Sequence, residues 1–119
     1  MTQPTDLNLD HRARELSEAA RSAPSGRASH MLFGGPGSQM TQTVIALRAG
    51  AALHEHGSPS EATLIVLQGE VRLTGVDDDR VGRRGDVLVI PPERHGLEAL
   101  TDAAVLLTAV KRNPVVHAG

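Results

Sequence analysis

The 119-residue chain contains no cysteine, no tryptophan and no tyrosine, and Phe33 is its only aromatic side chain. Without cysteine there are no disulfides, no thiolate nucleophile and no thiolate metal ligand. With a single aromatic, a platform for stacking bases and an aromatic cage for a cation are nearly excluded. The only lysine is Lys111, near the C-terminus, so a Schiff-base mechanism would rest on that one residue. The longest apolar run, between residues 103 and 110, is far shorter than the ~20 residues that span a bilayer. Residues 1–10 show no basic stretch followed by an apolar one, so a cytoplasmic protein is expected. The net charge is -2, and Arg83-Arg84 is the only adjacent arginine pair in the region of the strands. A solvated loop explains that pair better than nucleic acid does, and neither nucleic acid nor membrane is expected as a partner.

What is present is a Val-, Leu-, Ile- and Ala-rich chain of a length that forms one domain and buries its own core. Leu9, Ala13, Leu16 and Ala20 recur at helical spacing and predict one helix over residues 7–22. Asn8 or Asp10 can cap its start, and Pro24 and Gly26 end it. A lone helix of this length needs a surface to pack on, either the barrel wall or a partner subunit. From residue 27 onward short strands alternate with turns. Strands are expected over 28–33, 39–48, 53–56, 61–68, 70–74, 80–82, 86–90, 95–100 and 103–110. Such spacing with no intervening helices predicts an all-β sandwich or barrel. The organisation expected is a tail and helix over 1–26, a barrel over 27–112 and a tail over 113–119. Residues 63–67 and 105–107 lack the apolar–polar alternation of a half-solvated strand. Both faces are therefore expected to be covered, the second by another subunit, which predicts a homodimer.

Three of the six histidines form one arrangement with a carboxylate. His54 and His56 are two apart, so on a strand they share a face. Glu61 follows across the Gly57-Ser58-Pro59 turn. Imidazoles with a carboxylate suit Zn, Fe, Mn, Ni or Cu rather than Mg or Ca. His95, after Pro91-Pro92, can add a fourth ligand from a later strand. A His-x-His in a solvated turn is the plainer alternative. Thr63, Ile65 and Leu67 share the face of Glu61 and are expected to form a pocket wall. Gln42 or Gln39, on the second strand, can hydrogen-bond a ligand. His30 suits an interface better than a metal site, and Glu55 should point away from the two histidines that flank it.

The pattern Gly50, His54, His56, Glu61, Gly69 resembles the first motif of the cupin superfamily. Gly85, Pro91 and His95 resemble the second. The resemblance covers roughly residues 28–111. It departs from the family pattern between Gly50 and His54, where three residues stand in place of the usual five. It implies a double-stranded β-helix (jelly-roll) barrel, with one divalent transition metal held by His54, His56, Glu61 and His95. It also implies a dimer in which N-terminal strands, here 28–33, often cross over. Three functions follow as expectations. One is a metal-dependent dioxygenase, isomerase or lyase acting on a small organic molecule. Another is a non-catalytic small-molecule binding or sensing module that works through a partner. The third is a metal-free barrel kept as a structural subunit.

Overall fold

The computed structural model describes residues 7–54, 61–75, 78–90 and 95–110. It begins with helix α1 (Leu9–Ser22), started by Asn8, whose side-chain oxygen accepts the His11 backbone N–H at 2.9 Å. Such a cap satisfies a donor that the first helical turn cannot. The far end is held by Arg48, whose Nη1 donates to the carbonyls of Arg21 and Ala23 at 3.1 and 3.2 Å. A cation there also meets the negative end of the helix dipole.

Nine strands follow among the described residues: β1 (Arg27–Phe33), β2 (Met40–Leu47), β3 (Ala52–His54), β4 (Glu61–Gln68), β5 (Glu70–Thr74), β6 (Asp79–Arg83), β7 (Val87–Val89), β8 (Gly96–Ala99) and β9 (Ala103–Val110). They form two antiparallel sheets, β1-β2-β9-β4-β7 and β3-β8-β5-β6, face to face. This is the jelly-roll arrangement expected from the sequence. Strand 53–56 is described only as far as His54; the Gly57–Pro59 turn and Pro91-Pro92 lie outside the described residues.

The register decides which residues fill the interior. Ile45 pairs with Val105 and Val105 with Val66, while Leu64 pairs with Leu107 and with Leu88. With Leu53, Leu73 and Leu97 of the second sheet they belong to one apolar core. The alternate residues of the first sheet face outward. There Ala46 and Ala104 are fully buried, because α1 lays Ala13 and Ala20 on them with Leu16, Ala28 and Leu67 alongside. The missing alternation thus has a nearer cause than a partner subunit. The protein's own helix supplies part of the second cover, and alanine on both sides lets helix and sheet approach closely.

Candidate functional site

Strand β4 is the wall on which the expected site turns. Its burial alternates strictly from Glu61, exposed, through Ala62, buried at 7%, to Val66, buried at 1%. Ala62, Leu64 and Val66 enter the core, so Glu61, Thr63, Ile65 and Leu67 lie on the opposite, outward face. The carboxylate therefore stands on the outer surface of the barrel, and the inward position beside it is an alanine. The pocket wall expected from Thr63, Ile65 and Leu67 is corrected accordingly. Leu67 packs under α1, and Thr63 pairs with Thr108 and Val89 on the outer sheet face. Gln42 is on that face too; its Nε2 donates to Thr108 Oγ1 at 3.2 Å instead of reaching the interior. The physical reason is the two-residue period of a strand: a shift of one position exchanges its faces.

The histidines divide in the same way. His95 is 8% exposed and borders the core cavity. His54 is exposed and pairs with Gly96. Its neighbour Leu53 pairs with the buried Leu97 and faces inward, so His54 faces outward. There it flanks Gly96 opposite Thr74, and a Cβ on Gly96 would come 2.8 Å from Thr74 Oγ1 and 3.6 Å from His54 Nδ1. That crowding explains a glycine at this point of β8. His56 lies outside the described residues. Among the described residues no three histidine, aspartate or glutamate side chains come together as a metal site. Of the expected set, His54 and Glu61 lie on outward faces of their strands, whereas His95 borders the interior. His30, paired with Val44, is exposed on the outer face of β1.

The interior is apolar and nearly full. Ile45, Leu53, Leu64, Leu73 and Leu97 surround a cavity of about 20 Å³ that His95 borders. That volume holds about one water molecule. Sequence reasoning found His95 through its motif, but it missed Leu53 and Leu64 as cavity walls. The sequence of β4 carries no signal of its phase, because residues 63–67 lack alternation, and pairing with β9 sets which face turns inward. The raised pKa of Arg83 belongs elsewhere: the hydrogen bond from its guanidinium to Glu70, and then the charge of Glu70, favour the protonated form on the β5–β6 ladder.

The family model for the cupin domain, Cupin_2, matches residues 43–111. No curated protein matches the chain. Among solved structures, a conserved protein of unknown function from Streptococcus pyogenes superposes with a TM-score of 0.73 at 22% identity, covering 95% of this chain and 92% of that one. A cupin superfamily protein from Desulfitobacterium hafniense gives 0.70 at 17% identity, covering 93% and 96%. The Cupin_2 domain of an XRE family transcriptional regulator from Enterobacter cloacae gives 0.61 at 13% identity, covering 73% and 97%. At these identities the likeness is one of fold.

Proposed function

The chain belongs to the cupin family, and within it we propose that this protein is a small-molecule binding or sensing barrel rather than a metalloenzyme. One observation carries the reading: β4 turns Ala62 and Leu64 inward and Glu61 outward, so the inner wall offers apolar contact where a carboxylate ligand was expected. The interior beside His95 holds only about one water molecule, so an organic ligand would bind at the open side of the barrel rather than in the filled core. The likeness to a cupin domain of a transcriptional regulator agrees with such a role, and this chain would then act through a partner. The chain is further proposed to work in the cytoplasm as a homodimer.

A second reading keeps one divalent transition metal per chain (Fe, Mn, Ni or Zn) and a dioxygenase, isomerase or lyase activity. It is favoured by the ladder of β3 and β8, which sets His54 beside Gly96, the neighbour of His95. A metal there would serve as Lewis acid or oxygen activator. This reading requires both His54 and Glu61 to reach the interior from outer faces.

Elemental analysis of tag-free protein, beside the His56→Ala, Glu61→Ala double variant, separates the two. The binding reading expects parent and variant to carry the same substoichiometric metal. About one transition metal per chain in the parent and none in the variant would overturn it in favour of the enzyme.

A further inference from the structure

β1 and β3 are the terminal strands of their respective sheets, on the same side of the barrel. The opposite side is tied shut: Arg80 of β6 donates through Nη2 to the Val89 carbonyl of β7 at 2.6 Å, and the Gly85 N–H donates to Val66 at 2.8 Å. At the β1–β3 side the sheets instead part around a cleft of about 420 Å³. That lies within the range of small-ligand sites.

The cleft is lined by Ser25, Arg27, Ala28, Ser29, Thr43, Ile45 and Leu53. Register explains most of the set. Arg27 pairs with Leu47 and Ser29 with Ile45, so both lie on the barrel side of β1, while Ala28 faces the helix. The rim is polar and cationic, and the floor is aliphatic. Among the described residues no carboxylate pairs with the Arg27 guanidinium. Ser25 Oγ accepts the Arg27 backbone N–H at 3.3 Å, which leaves its own O–H as a donor. The rim is also held in place. Arg48 ties the end of α1, and its backbone N–H donates to the Gly26 carbonyl at 2.8 Å, between Ser25 and Arg27. Preorganisation of this kind lowers the ordering cost of binding. Finally, Ile45 and Leu53 line both the cleft and the inner cavity beside His95, so they form the partition between the two.

We propose that this seam is the binding site for a small organic carboxylate with an apolar body. The carboxylate sits on Arg27 with the Ser25 and Ser29 hydroxyls, and the apolar body lies over Ile45 and Leu53. A guanidinium with neighbouring hydroxyl donors selects an anion, and the aliphatic floor selects against a hydrophilic one. The proposal rests on the small-molecule reading above and names the class of ligand for it.

The test titrates octanoate, octanol and octylamine into ¹⁵N-labelled full-length protein and follows amide shifts. The expected result is that octanoate binds best and moves the amides of Ser29, Thr43 and Leu53. Arg27→Gln, with an otherwise parental spectrum, should weaken octanoate about tenfold and leave octanol unchanged. Equal affinity for octanoate and octanol, or octanoate shifts confined to the His54 end with no effect of Arg27→Gln, would overturn the seam site while leaving a binding barrel. Silence toward octanoate overturns it as well. The reading beneath it falls only on the separate finding of a metal lost from the double variant.

Discussion

Gly69 has a φ of +74°, and a Cβ on it would overlap the Asp102 carbonyl oxygen and stand 2.8 Å from Thr101 Oγ1. Backbone cannot move aside as a flexible side chain can. Gly69→Ala is therefore expected to cost about 3 kcal/mol or more, combining left-handed strain with the clash. Gly50 has a φ of +88° with open space around it, so Gly50→Ala should cost only about 1 kcal/mol. Chemical denaturation of the two variants checks the contrast, and equal costs would refute the packing argument. The phase of β4 makes a similar paired prediction. Leu64→Ala empties the wall of the inner cavity and should cost about 3 kcal/mol. Thr63→Ala, on the outer face, should stay within about 1 kcal/mol. The reverse order would mean that Glu61 and Thr63 face inward and would restore the metal site.

Helix α1 is held at three places: the Asn8 cap, the Arg48 clasp and the alanine contact with β2 and β9. The cap touches only the helix, so Asn8→Ala should cost about 1 kcal/mol. The contact is between fully buried small residues, Ala13 and Ala20 against Ala46 and Ala104. Ala20→Leu would insert three heavy atoms where none fit and should cost about 2 kcal/mol by lifting the helix from the sheet. Helix propensity alone predicts almost no change for that substitution. Thermal melts of the two variants decide between packing and propensity, and an undiminished Ala20→Leu melting temperature would favour propensity. Because the Arg48 clasp also holds the turn before Arg27, helix docking and the rim of the proposed seam site are linked through the same residue.

At the scale of the whole molecule, α1 leaves part of the outer sheet face bare. Val87 and Val89 are 59% and 62% exposed, and β7 places them beside Ile65 and Thr63 on β4. Adjacent apolar side chains on an outer face suit a self-complementary two-fold contact. The proposed homodimer predicts twice the chain mass by light scattering at micromolar concentration, and a monomer when Val87 and Val89 are both replaced by lysine. A monomeric parent would remove the homodimer. A dimer indifferent to both lysines would move the interface elsewhere, with β1 and its exposed Met31 and Phe33 as the next surface to test.

The elements were legible in the sequence because their causes are local. Leu9, Ala13, Leu16 and Ala20 mark a helix by spacing alone, and Gly34, Gly69 and Gly85, each at positive φ, punctuate the strands that the apolar runs define. The two motifs around His54 and His95 carried the family for the same reason. Which face each strand turns inward was not local. A strand has two faces one residue apart, and the choice between Glu61 and Ala62 follows from pairing with Val110 and Ala109 on β9, more than forty positions away along the chain. The same holds for the cover over Ala46 and Ala104, supplied by a helix from the other end of the chain, and for the seam, where Arg27 and Leu53 meet only because their strands end two different sheets. Composition and spacing determined the barrel; tertiary pairing decided what its inside is made of, because register is set by the packing of the whole sandwich rather than by any one strand.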